Sequence, residues 1–163
     1  RQHRRHRHRD GRLMTDRAAA ARRGRRPAQT VLRVLLGVAL AGAGITHLTV
    51  ARDEFQAQVP EFVPLDPDVT VVASGAVGIA LGTALVVARR RRTTVGLAVA
   101  AFFVAIFPGN VAQWVHGRDG FGLDTDAARF GRLFFQPVLV AAALWSTGAG
   151  HAIAERLRAR RDR

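Results

Sequence analysis

Five polar side chains stand within largely apolar stretches of sequence: His47, Ser74, Asn110, Arg132 and Gln136. An imidazole, a hydroxyl, two carboxamides and a guanidinium can hold a polar head group by hydrogen bonds. They are poorly suited to catalysis. No carboxylate lies within the same stretches to act as a base, and no Ser/His/acid set stands on rigid elements. One histidine does not make a metal site, and no glycine-rich phosphate loop follows a strand. With no cysteine in the chain, a disulfide-stapled domain, a thiol enzyme and a Cys-ligated metal are excluded. No catalytic residue, metal or evident cofactor is therefore expected.

The elements that must carry these five are four apolar stretches, Thr30–Val50, Val69–Ala88, Thr93–Val115 and Phe130–Ile153. A helix crossing the hydrocarbon core needs about 20 mostly apolar residues, and each stretch meets that length. Helices of a soluble bundle would show a polar face recurring about every 3.6 residues; the second and third stretches show none. The sequence thus predicts an all-α integral membrane protein, an up-down bundle of four transmembrane helices. They are expected at about 30–50, 69–88, 93–115 and 130–153, within a membrane domain of residues 30–153. Segment 1–29 is expected to be a disordered basic tail and 154–163 a second basic tail. The one methionine is Met14; a translation start there would make Arg1–Leu13 upstream sequence rather than a nucleic-acid arm or a His-rich metal tract.

Charge orders the bundle. The 163 residues carry a formal +13 at a mean hydropathy of only +0.06 and 48% hydrophobic content, an average over two unlike populations. Eleven Arg against two Asp precede Pro27, and Arg89–Arg92 form the second basic block. Five Arg against Glu155 and Asp162 close the chain. The links between these blocks are acidic: Arg52 faces Asp53, Glu54, Glu61, Asp66 and Asp68, while Arg118 and Arg129 face Asp119, Asp124 and Asp126. Basic loops stay in the cytoplasm, so both termini and the Arg89–Arg92 turn are expected on the cytoplasmic side of a bacterial inner membrane. Every basic residue besides histidine is Arg, as GC-rich bacterial coding produces. The basic charge then reads as topology, with the lipid bilayer and not nucleic acid as partner.

In that orientation all five polar residues fall in the outer half of the bundle. Arg132 and Gln136, four apart, share a helix face. Pro108 removes one backbone hydrogen bond from the third helix, and a kink there would open an outward-facing pocket. The other reading is that the five sit at wet helix ends and snorkel to the headgroups. Gly44 in the first helix, and Gly75, Gly78 and Gly82 in the second, form small-residue strips. Such strips let helix backbones approach in lipid.

Read in order, the series is Gly44-Ile45-Thr46-His47-Leu48, Phe55, Val59-Pro60, Val63-Pro64, Ser74-Gly75, Phe107-Pro108-Gly109-Asn110, then Arg132 four before Gln136. Over Leu32–Trp145 this resembles the DoxX-like family of small bacterial membrane proteins. The resemblance implies a four-helix membrane bundle and a link to respiratory or redox complexes, since some relatives are subunits of a thiosulfate:quinone oxidoreductase. Relatives often carry an acidic residue at the place of Gly78, and a proline at that of Phe134. The expected function is a non-catalytic or accessory membrane protein that binds a quinone or lipid in its outer pocket beside redox-complex subunits. The alternatives are a small transporter or permease, and the membrane subunit of a quinone-linked oxidoreductase whose redox centre another subunit would carry.

Overall fold

A computed structural model of the protein describes residues 27–162. Most of the basic segment expected at 1–29, together with Met14, lies outside the described residues. Within them the chain is helical, with no strand: α1 Pro27–Leu48, α2 Arg52–Gln56, α3 Pro67–Val87, α4 Arg92–Val115, α5 Asp126–Leu133, α6 Phe135–Thr147 and α7 Ala149–Arg161.

Local chemistry sets these limits. Pro67 opens α3, where its missing N–H has no intrahelical partner to lose. Asp66 caps the same helix, its side chain accepting from the backbone N–H groups of Asp68 at 2.8 Å and Val69 at 3.4 Å. Thr125 caps α5 by accepting from the Ala128 N–H at 3.2 Å. Gly148, at φ +76°, ends α6 in the left-handed conformation that closes many helices.

Two expectations are corrected. The first helix starts at Pro27 rather than after residue 29, and Gln29 within it donates to the Trp145 carbonyl at 2.8 Å. The fourth helix is not one rod over 130–153. It begins at Asp126, breaks at Phe134 and ends at Thr147. Pro137 has no N–H to offer the Leu133 carbonyl, which is why the ladder divides there. Beyond Gly148 the separate helix α7 takes in Ala149–Ile153 and most of the expected tail.

Four segments are long and apolar enough to cross a membrane: Pro27–Leu48, Pro67–Val87, Arg92–Val115 and Asp126–Thr147. Their outer faces are apolar as well, with Val31, Leu35, Val38, Val77, Val104, Val138 and Trp145 exposed. A soluble protein rarely shows so much apolar surface, whereas a bilayer requires it. The fold is an all-α bundle of multi-pass membrane type. Inside it, Leu36, Leu40, Leu85, Val99, Ala100, Phe103 and Ala143 form the core.

Backbone contact joins α1 to α3. A Cβ placed on Gly44 would stand 2.6 Å from the Gly75 carbonyl oxygen, and one on Gly82 2.6 Å from that of Gly37. Gly75 faces Cβ of His47 at 2.8 Å in the same sense. Gly78 is looser, 3.6 Å from Gly44 Cα, so of the four glycines expected to pack it alone has room for a methyl. At the end of the bundle that holds the 88–91 turn, the arginine end, buried Arg33 donates to the Leu85 carbonyl and, at 3.5 Å, to that of Val86. It thereby satisfies carbonyls that the last turn of α3 leaves without intrahelical donors.

The contact is directional, and that can be measured. Gly44→Leu should lower the thermal midpoint of the detergent-solubilised protein by an overpacking penalty of about 1–3 kcal/mol. Gly42→Leu on the same helix, where an added Cβ meets nothing within 4 Å, should leave the midpoint near that of the parent. Equal effects in the two variants would contradict the packing described.

Candidate functional site

The opposite end of the bundle carries the acidic links, and beneath them lies a cavity of about 630 Å³. Cavities that enclose one small molecule range from about 300 to 1,000 Å³. His47 on α1, Ser74 on α3, Asn110 on α4, Arg132 on α5 and Gln136 on α6 all line it. The residues singled out in the sequence therefore converge on one space. The rest of the wall is mainly apolar, including Leu40, Val63, Val71, Phe102, Ile106 and Leu139.

Their hydrogen bonds separate the five. Asn110 Nδ2 donates to Gln136 Oε1 at 3.0 Å, and Gln136 Nε2 donates to the Phe103 carbonyl at 2.5 Å. Both side chains are buried and tie α4 to α6, so much of their polar capacity is spent inside the protein. That carbonyl lies one residue before Val104, which Pro108 deprives of an intrahelical donor; α4 nevertheless runs unbroken from Arg92 to Val115. Ser74 Oγ donates to the Val71 carbonyl at 2.9 Å and keeps its lone pairs. His47 Nδ1 lies 2.6 Å from the Ala43 carbonyl. That contact assigns the proton to Nδ1 and leaves Nε2 as the ring's remaining polar atom.

Arg132 is held differently. Its Cζ lies 4.8 Å above the centroid of the Phe121 ring, a cation–π placement. The Gln58 amide is assigned with its oxygen toward the guanidinium, accepting from Nη1 at 2.7 Å and Nη2 at 3.0 Å. It also meets the amide of Gln113 at 2.9 Å. Phe121 packs edge-on to Phe55, centroids 4.5 Å apart, and Phe55 stacks on His47 at 3.3 Å. A continuous ladder of rings thus joins the imidazole to the guanidinium. Phe121 sits at φ +58°, a conformation uncommon outside glycine, and its N–H donates to Glu54 at 2.6 Å.

The two links form a cover over the cavity. Arg118 donates to the Ala57 and Val59 carbonyls at 3.3 and 3.1 Å and pairs with Glu61 at 2.9 Å. Buried Arg129 forks between Asp119 and Asp126. Arg52 pairs with Asp68, which Gln56 also contacts at 2.9 Å; the hydrogen bond from Arg52 to that carboxylate raises the guanidinium above its ordinary range. In each pair at least one partner reaches solvent, so the cover is held by several weak ties. It rests on α4 at Gly109, where a Cβ would come within 2.8 Å of the Gln58 carbonyl oxygen.

Phe55, Gln58, Gln113 and Phe121 were not among the expected site residues. A signal was present. The link from Ala51 to Asp68 is longer than most connections within a domain, and it carries Phe55, Val59, Phe62, Val63 and Leu65. An extramembrane turn has no need of so many apolar side chains.

The architecture defines a class, a multi-pass four-helix bundle with a covered cavity at one end. Residues 36–147 match the family described as a domain of unknown function, DUF8561; the match takes in more than half of the chain and all five polar residues, and the protein belongs to that family. No curated protein and no solved structure matches the chain.

Seating of the cover on α4 gives a direct measurement. Gly109→Val should lift the Gln58 segment and raise amide exchange across Phe55–Val59 by roughly ten-fold, while α3 and α6 keep their protection. Unchanged exchange in Phe55–Val59 would show that Gly109 does not seat the cover.

Proposed function

We propose that the protein is an accessory membrane protein whose cavity binds an amphiphile, a quinone or a lipid, by its polar head. The observation that carries this reading is the convergence of His47, Ser74, Asn110, Arg132 and Gln136 on one space with otherwise largely apolar walls. A water-soluble metabolite would find few polar partners in such walls, whereas a head group with an attached chain matches both parts. A permease would carry its polar groups near the midplane, on helices broken there; here they gather at one end. The ordered series from Gly44 to Gln136, with its resemblance to DoxX-like proteins, supports a place beside a respiratory or redox complex. The reading includes a bacterial inner membrane with the arginine end in the cytoplasm, supported by alternation of basic and acidic segments along the chain.

Mild detergent extraction, followed by mass spectrometry of bound small molecules and proteins, tests the reading. A quinone or lipid should accompany the protein in near-equimolar amount. Arg132→Ala should carry less of it with its thermal midpoint retained. A preparation free of both, and of redox subunits, would overturn the proposal. Topology is separable: reporters fused after Arg92 and after Gly120 should report opposite compartments, and agreement between them would overturn the orientation.

A further inference from the structure

Charge bookkeeping at the acidic end leaves one residue over. Three of its arginines have carboxylate partners: Arg52 with Asp68, Arg118 with Glu61, and Arg129 with Asp119 and Asp126. Among the described residues no carboxylate lies within ion-pair distance of Arg132, although it is the arginine that lines the cavity. Its partners are neutral: the Gln58 oxygen and the face of Phe121. Two further acids of the links are engaged elsewhere, Glu54 on the Phe121 N–H and Asp66 on the start of α3. A partly buried cation held only by neutral groups keeps a large unmet affinity for an anion. One amide oxygen and a ring orient the guanidinium without neutralising it.

The cavity also has a side. Phe62, Ile106 and Phe135 line it and are at the same time exposed on the apolar outer surface. A chain attached to a head group at Arg132 can therefore pass between these side chains into lipid without crossing the acidic cover.

We propose that the ligand is an anionic amphiphile, a carboxylate- or phosphate-headed lipid. Its head pairs with Arg132, and its chain leaves the bundle past Ile106 and Phe135. This inference rests on the amphiphile reading above and narrows it, since a neutral quinone would leave the charge of Arg132 unmet. The planar guanidinium offers parallel N–H groups to the two oxygens of such a head. Asn110 and Gln136, bonded to each other, form a neutral wall beside the pair and add no competing charge.

The test uses the full chain in a non-ionic detergent, with palmitate and hexadecanol as probes of equal chain length. Decyl-ubiquinone serves as a neutral redox amphiphile and inorganic phosphate as a chainless anion. Palmitate should bind about ten- to a hundred-fold more tightly than hexadecanol, the range that one charge-assisted contact commands. Arg132→Gln should bring the two to parity, and Arg132→Lys should restore part of the preference; an unchanged thermal midpoint in each variant shows that the fold is intact. In nanodiscs, phosphatidylglycerol should be retained over phosphatidylcholine if the phosphate head is accepted as well; retention of neither would restrict the site to carboxylates. Equal binding of palmitate and hexadecanol, or a palmitate affinity that survives Arg132→Gln, overturns the anionic head. Tight decyl-ubiquinone binding indifferent to Arg132 would overturn it while leaving the amphiphile reading in place. Saturation by phosphate alone at similar affinity would overturn the amphiphile. Failure of every chained probe would overturn both readings together.

Discussion

Close approach of α1 and α3 is the constraint on which the rest of the bundle depends. Lipid tails offer helices no hydrophobic reason to associate, so contact must come from packing and from polar groups that lipid cannot satisfy. Here the backbone of each helix touches the other through Gly37, Gly44, Gly75 and Gly82. That register has a consequence at each end. At one it sets Arg33 against the final carbonyls of α3. At the other it sets His47 beside Gly75, where any larger residue would displace the imidazole. The same sliding fit that holds the helices together therefore decides what stands in the cavity.

The second association follows different chemistry. Between α4 and α6 the contacts combine Gly96 seated against Thr147 with the Asn110–Gln136 amide pair. Asn110, Gln136, Ser146 and Thr147 each have a protein partner there, as a low-dielectric interior demands. Arg132 departs from that rule in one respect. Its hydrogen bonds are supplied, but its charge is not. The contrast between a satisfied amide pair and an unneutralised guanidinium in the same cavity is what separates scaffold from candidate site.

Much of this was legible from residues alone, because membranes impose coarse rules. Length and polarity fixed four helices, and the antiparallel order followed from the short 88–91 connection. The position of polar residues along each helix was enough to place all five at one end. What stayed hidden depended on contacts between distant parts of the chain. Gln58 and Phe121 sit in links that a hydropathy reading passes over, and only the folded chain shows them against Arg132. Asn110 and Gln136 read as ligand groups until their mutual bond is seen. The break at Phe134 was a local signal, written in Pro137, but a span read by hydrophobicity hides a helix interruption. Gln29 and Pro27 looked like tail for the opposite reason. Basic neighbours before them mask the helix that the proline begins.

The acidic links gain a second meaning once the cover is considered. As topology they are merely segments poor in positive charge. As structure their carboxylates occupy Arg52, Arg118 and Arg129, and so fold two links into a roof. Had any of those acids reached Arg132 instead, the guanidinium would be an ordinary structural ion pair. The roof engages them with other partners, and Gln58 is the link residue whose side-chain oxygen meets the guanidinium. With an aromatic face and a neutral amide as its partners, Arg132 keeps a positive charge at the top of an apolar space. An anionic head group with a hydrocarbon chain is the ligand class that both halves of that space describe.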